Sequence, residues 1–314
     1  MKLGFLYAGQ GSQHPGMGAD LYEEYAAFRR VFDESAVDFD LKTVCFSDPE
    51  GVLSQTEYTQ PCMVAFSAGV TAVLKELGIE PFVAAGLSLG EYSALQAAGV
   101  WDSATAVRVV AFRGQAMMKA AKGKDCAMAA VLGLSREKVL EACQEASTVG
   151  IVEACNFNCA GNIAIGGETS AVQEAVRLAL EKGAKRCVPL KVSGPFHTSI
   201  MRPAGDALRD YFQTIPFGKP AIPVLFNCLG REMGDQDTIP ALLERQVQSS
   251  VYMEDCIWRM ADMGVDAIIE IGPGKVLSGF VRKTVPGMPC FKVESVADLQ
   301  ALPAALEGVE KHEA

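Results

Sequence analysis

A chain of 314 residues with 49% hydrophobic and 21% charged side chains is large enough for one big domain or two smaller ones around a sizeable core. Its formal net charge of −10 argues against a nucleic-acid binder, which needs a basic face. The 10 cysteines form no C-x-x-C pair, and Cys155 and Cys159 have no histidine near enough to complete a zinc set. Neither a disulfide framework nor a metal site is therefore expected, and a reducing cytoplasm is the expected setting. No apolar stretch approaches the length of a membrane span, so no membrane association is expected.

In chain order, Leu3–Ala8 reads as a buried strand. Its apolar run is too short for a signal peptide and breaks into Gly9-Gln10-Gly11-Ser12-Gln13. Asp20–Ser35 reads as one amphipathic helix, with Leu21, Tyr25, Phe28 and Phe32 at helical spacing. Thr59-Gln60-Pro61 reads as a helix start with proline in the first turn, followed by Val64–Leu77. Pro81–Ala85 is a strand, Glu91–Ala98 a helix, and Ser103 to about Ala121 another. This alternation predicts an α/β domain with a mainly parallel sheet.

Around Gly123-Lys124 the pattern changes. Ala127–Leu132, a helix over Ser135–Ala146, Gly150–Asn156, Asn162–Gly166, a helix over Ser170–Glu181, and Ala184–Leu190 make a βαββαβ unit, the ferredoxin-like order. The α/β pattern then resumes with Ile222–Asn227, helices from Ile239 to about Gln246 and over Met253–Met263, and a strand at Ala267–Ile271. An Ala- and Glu-rich helix is expected from about Pro303. The predicted architecture is a discontinuous, α/β-hydrolase-like large domain, residues 1–123 and 192–314, with a small ferredoxin-like domain, residues 124–191, inserted into it.

Gly86-Leu87-Ser88-Leu89-Gly90 carries the strongest chemical signal. A lone G-x-S-x-G also fits an ordinary turn with a surface serine. Here a strand precedes it and a helix follows, which is the context of a nucleophile elbow. The glycines let the chain pass close to itself, and the helix start offers free N–H groups to a developing oxyanion. A serine nucleophile needs a base, and the chain has 3 histidines, His14, His197 and His312. His312 lies in the tail and His14 in a polar loop, whereas His197 sits in the irregular segment Ser193-Gly194-Pro195-Phe196-His197-Thr198. Arg113, in an otherwise apolar helix, is either a structural arginine or a grip for an anionic substrate; guanidinium geometry suits a carboxylate. Gly272-Pro273-Gly274-Lys275 lacks the spacing of a phosphate loop, so nucleotide hydrolysis is rejected.

Taken in order, Gly9–Gln13, Thr59-Gln60-Pro61, Gly86–Glu91, Arg113, Phe196-His197, Gln246 and Glu270-Ile271-Gly272-Pro273-Gly274 resemble the motifs of the malonyl-CoA:acyl-carrier-protein transacylases, nearly end to end. This is an acyltransferase family of fatty-acid and polyketide synthesis. The resemblance implies that Ser88 is the acylated nucleophile and His197 its base. It implies that the backbone N–H groups of Gln10 and Leu89 form the oxyanion hole. It also implies that Arg113 holds the malonyl carboxylate, that Gln246 orients His197 through its backbone carbonyl, and that Gln60 lines the pocket. The ring of Phe196, just before the base, implies a malonyl rather than a methylmalonyl substrate.

Two places depart from the family pattern. Leu87 stands where a histidine is usual, and Asn158-Cys159-Ala160-Gly161-Asn162 replaces an N-x-P-x-Q segment. The expected reaction moves malonyl from malonyl-CoA to the phosphopantetheine thiol of acyl carrier protein, with CoA as product and no bound cofactor. A discrete polyketide-pathway acyltransferase and a serine thioesterase are the alternatives. The carrier is acidic, so a basic docking face is expected among Lys182, Lys185, Arg186, Lys191, Lys275, Arg282 and Lys283. A monomer is the default expectation.

Overall fold

A computed structural model describes residues 1–309, and His312 lies outside the described residues. The chain forms two compact units. The first comprises Met1–Gly114, Phe217–Phe226 and the chain from Cys256 onward, and the second comprises Gln115–Pro216 and Asn227–Asp255.

The first unit is built on a four-stranded parallel sheet in the order Cys290–Val293, Ala267–Ile271, Leu3–Tyr7, Val83–Gly86. Three of the four runs, LGFLY, AIIEI and VAAG, are buried at every residue. A parallel sheet covered on both faces reads as continuous apolar sequence, which is why these strands were legible. The expected strand Ile222–Asn227 is reduced to Leu225–Phe226, with Val224 bridged in parallel to Ala84. Pro220 and Pro223 have no N–H to give a ladder, so only the end of the run can pair.

Two predicted helices differ in form. The one expected over Asp20–Ser35 is two helices, Ala19–Glu24 and Ala26–Glu34, parted at Tyr25, whose φ of −110° and ψ of 118° are extended. The carbonyls this break frees are taken by Arg29, whose Nε donates to Tyr22 O (3.0 Å) and Nη2 to Glu23 O (2.7 Å). The re-aimed second helix drives Phe28 onto Gly69, where a Cβ would come within 2.5 Å of the ring. The second helix starts at Thr56, not at Thr59, and runs to Glu76 with Pro61 inside it. The cost is one hydrogen bond, the one residue 61 would give to the Glu57 carbonyl. The structure adds the helices Leu41–Phe46, Arg202–Phe212 and Val276–Thr284 and the strand Cys290–Val293, which were not expected.

The second unit holds a five-stranded sheet in the order Arg186–Pro189, Cys126–Leu132, Asn162–Glu168, Val152–Cys159, Val251–Tyr252. The first four strands pair antiparallel, and with the helices Arg136–Ala146 and Thr169–Glu181 they give the ferredoxin-like βαββαβ order. Its core includes Val131, Val139, Phe157, Ile163, Ile165 and Val172. The unit extends past the expected insert of residues 124–191 for two reasons. Val251–Tyr252 adds a parallel edge strand to Val152–Cys159, and the helix Arg202–Phe212 packs on Ile239–Val247. Among the described residues no helix is long and apolar enough to cross a membrane, and no cluster of three His, Cys, Asp or Glu could hold a metal ion.

Candidate active site

In the first unit the strand Val83–Gly86 runs into Leu87-Ser88-Leu89 and then the helix Gly90–Ala97. Ser88 has φ = 52°, in the left-handed region that costs an L-residue energy. The surroundings hold it there. Leu87 N–H donates to Tyr7 O (3.0 Å), Gly90 N–H to Leu87 O (2.9 Å) and Glu91 N–H to Ser88 O (3.1 Å). Glycine is obligatory at both ends of the turn. A Cβ on Gly86 would lie 2.0 Å from the Gly90 carbonyl carbon, and one on Gly90 would lie 2.2 Å from Tyr7 O. Gly90→Ala is therefore expected to destabilise the fold by about 3 kcal/mol. Gly279→Ala, in the helix Val276–Thr284 with open space around it, should be neutral or gain up to ~1 kcal/mol. Thermal unfolding of the two variants side by side checks this contrast.

The Gly9–Gln10 loop packs on the elbow so closely that a Cβ at Gly9 would meet Leu87 O at 2.5 Å. Gln10 Nε2 donates to Thr56 Oγ1 (3.0 Å), which fixes the loop to the helix Thr56–Glu76. Among the described residues neither the Gln10 N–H nor the Leu89 N–H donates a hydrogen bond.

Arg113 is 1% exposed although it is a cation. Its Nη2 donates to Ser88 Oγ (3.1 Å) and its Nη1 to Gln60 Oε1 (3.0 Å). Gly114 makes that reach possible, because its missing side chain lets its helix lie 3.0 Å (ideal Cβ position) from Glu57 Cα on the helix bearing Gln60. The guanidinium carbon lies over the Tyr92 ring, 5.1 Å from its centroid. Burial draws the Arg113 pKa below its ordinary value, against the opposing pull of Tyr92 and Glu91. Guanidinium nevertheless stays protonated in proteins, so a positive charge stands beside the serine oxygen.

In the second unit His197 also has a positive φ, 63°, and is 4% exposed. Asp48, Ser88 and His197 are the non-glycine residues with positive φ among those described. His197 Nδ1 donates to the backbone carbonyl of Gln246 at 2.8 Å. A carbonyl only accepts, so the proton sits on Nδ1 and the neutral ring keeps a lone pair on Nε2, the tautomer of a base. Gln246 lies in the last turn of the helix Ile239–Val247, where carbonyls lack intrahelical donors. The same helix end favours the imidazolium that forms when Nε2 takes a proton.

The strand Val152–Cys159 carries both partners. The Glu153 carboxylate accepts from Ser199 N–H (2.8 Å) and Ser199 Oγ–H (2.6 Å), two residues past His197. Ala154 O accepts from Ser250 Oγ–H (2.7 Å), just past the Gln246 helix. Glu153, Ser199 and Ser250 went unnoticed in the sequence, since a surface-type glutamate and two serines form no local pattern. Phe196 is buried and packs against Gly194, 3.2 Å from an ideal Cβ there. In the departing segment, Asn158 Nδ2 donates to Asn162 Oδ1 (3.3 Å) across a two-residue hairpin loop. Of the basic candidates, Lys182 pairs with Glu145 at 2.8 Å and Glu141 at 3.6 Å, which withdraws it from a docking face.

The structure thus joins Ser88, Arg113 and Gln60 directly, sets Gln10 and Leu89 beside them, and joins His197 to Gln246. A parallel α/β unit that strains a serine at a strand-to-helix turn beside a buried cation defines a class, the serine enzymes of acyl chemistry. Residues 4–305 match the acyl transferase domain family, and the chain belongs to it. It is 38% identical over 313 residues to a protein of Bacillus subtilis (strain 168) named malonyl CoA-acyl carrier protein transacylase, covering 99% of this chain and 98% of that one. The crystal structure of the malonyl CoA-acyl carrier protein transacylase from Clostridium perfringens superposes with a TM-score of 0.95 at 38% identity, covering 98% of each chain. A malonyl-transacylase solved in complex with its type II polyketide acyl-carrier protein superposes with a TM-score of 0.92 at 36% identity, covering 98% of this chain and 99% of that one.

Proposed function

We propose that this chain transfers malonyl from malonyl-CoA to the phosphopantetheine thiol of acyl carrier protein through a malonyl ester on Ser88, in the cytoplasm and for fatty-acid synthesis. The observation that carries the reading is the buried Arg113 guanidinium, 3.1 Å from Ser88 Oγ. A cation buried against a nucleophile selects an acyl group that brings its own negative charge. Malonyl does so; acetyl and longer alkyl acyl groups do not. The curated relatives' shared name, malonyl CoA-acyl carrier protein transacylase, supports the same substrate and acceptor.

In the first half-reaction Ser88 Oγ bonds to the thioester carbon as its proton passes to His197 Nε2. The N–H groups of Gln10 and Leu89 receive the oxyanion, and each such donor contributes about 3–4 kcal/mol to the transition state. The C–S bond then breaks, and the imidazolium returns the proton to the departing CoA thiolate. In the second half the carrier thiol gives its proton to His197, its sulfur attacks the ester carbon, and Ser88 leaves with the proton. Gln246 holds the imidazole in its basic tautomer through both halves. The family resemblance assigns Phe196 the choice of malonyl over methylmalonyl, and Gln60 aligns Arg113. No bound cofactor takes part, because CoA enters as substrate and leaves as product.

Brief incubation with malonyl-CoA followed by intact-protein mass measurement tests this directly. A malonyl adduct that persists in buffer and discharges on addition of holo carrier protein supports transfer. An adduct that decays to free malonate without the carrier identifies a thioesterase instead. Absence of any adduct, with no CoA released, overturns the ester mechanism.

A further inference from the structure

Arginine is a poor specificity element unless its plane is fixed, because its long stem can turn the same charge in many directions. Arg113 has its two outer nitrogens on Ser88 Oγ and Gln60 Oε1, both in the guanidinium plane. A third contact reaches the guanidinium carbon itself. Tyr92 lies one turn along the elbow helix from Ser88, is fully buried, and presents its ring to the guanidinium carbon at 5.1 Å. The ring is in turn stacked on Trp101, at 6.2 Å and 14°, and Trp101 packs against Phe217 at 4.9 Å. The Tyr92 hydroxyl is buried and also lies near enough to Arg113 to interact with its charge, so the ring face and the oxygen are separable contributions.

An aromatic face attracts a cation from above its plane without accepting one of its N–H groups at the edge. A carboxylate in the same place would instead occupy those edges and neutralise the charge. Burial pushes the Tyr92 phenol above its ordinary range, so the ring stays neutral beside the cation.

We propose that Tyr92 is the specificity-determining positioning residue for Arg113: its stacked ring face holds the guanidinium plane so that the N–H edges point at the site of the acyl carboxylate, and this favours carboxylated over plain acyl-CoA. This rests on the malonyl reading above. Tyr92 acts through Arg113 and does not touch the reacting atoms.

The test is a position-92 series in the full-length protein, read as the ratio of acyl-enzyme formation from malonyl-CoA to that from acetyl-CoA. Tyr92→Phe keeps the face and should keep the ratio. Tyr92→Leu removes the face and should lower the ratio about tenfold, through a higher malonyl-CoA KM with acetyl formation little changed. A ring-fluorinated phenylalanine at position 92 keeps the shape while withdrawing charge from the face, so it should lower the ratio even if the leucine variant fails to fold. Equal losses for both acyl groups in the fluorinated variant, or an unchanged ratio there, overturn the proposal. A wild type that forms an adduct from neither substrate, or shows no malonyl preference, overturns the parent reading and this one with it. A malonyl-selective wild type with an insensitive position 92 overturns this one alone.

Discussion

Ser88→Ala is expected to lower malonyl transfer by on the order of 10⁴-fold or more, with no ester detectable by mass. On the proposed mechanism the acyl group rides on this oxygen, and no neighbouring group replaces it. The informative part is the comparison with His197→Ala and with the double variant. A nucleophile and its base act as one unit, so if Ser88 and His197 hold the proposed roles His197→Ala should cost a similar factor and the double variant little more than either single one. Steady-state rates with purified holo carrier protein measure all three. Fully additive losses would mean that the two residues serve separate steps and would remove His197 from its role as the base for Ser88. Residual turnover in the variants, if present, reports what oxyanion donors and substrate binding contribute without covalent chemistry.

Arg113→Ala should cut malonyl transfer by roughly 10²-fold, about 3 kcal/mol, because a desolvated charge-assisted contact to the carboxylate is lost. Acetyl transfer should fall far less, since acetyl has no group to grip. The selectivity ratio is therefore the measured quantity. Arg113→Lys should not restore it: lysine offers a point charge and cannot keep one nitrogen on Gln60 Oε1 while presenting another at Ser88 Oγ, as the guanidinium fork does. If malonyl and acetyl transfer fall together in Arg113→Ala, the arginine is structural and the carboxylate assignment fails. The Arg113–Ser88 contact gives a second consequence. A positive charge 3.1 Å from Oγ favours the alkoxide character the serine gains as it attacks, so some loss with acetyl-CoA is also expected.

Much of this was legible before any tertiary structure, for local reasons. The elbow is a short-range device: a strand, two glycines around a serine, and a helix, all within residues 83–97. Three of the four parallel strands announce themselves as largely apolar runs, and the βαββαβ order of the second unit follows from alternating periodicities. The misreadings have equally specific causes. The helix break at Tyr25 has no glycine or proline to mark it, and depends on Arg29 reaching back to two carbonyls. Pro61 suggested a helix start, yet it sits inside a helix that tolerates the loss of one hydrogen bond. The edge strand Val251–Tyr252 is two residues long and exists because Val152–Cys159 offers it an edge.

The sequence by itself determined the chemistry available: a serine with a glycine two residues to either side between a strand and a helix, few histidines, and an arginine in an apolar helix. Periodicity and turn chemistry are properties of adjacent residues, so they can be read along the chain. Tertiary structure alone decided how those groups are used. It brought Arg113 onto Ser88 across 25 residues and onto Gln60 across 53. It set the carbonyl of Gln246, 49 residues away, on the Nδ1 of His197 and so chose the tautomer. It placed Tyr92 beneath the guanidinium and Glu153 behind the histidine loop. Such pairings depend on helix crossings, strand register and the absence of a Cβ at Gly114, quantities that exist only once distant segments pack.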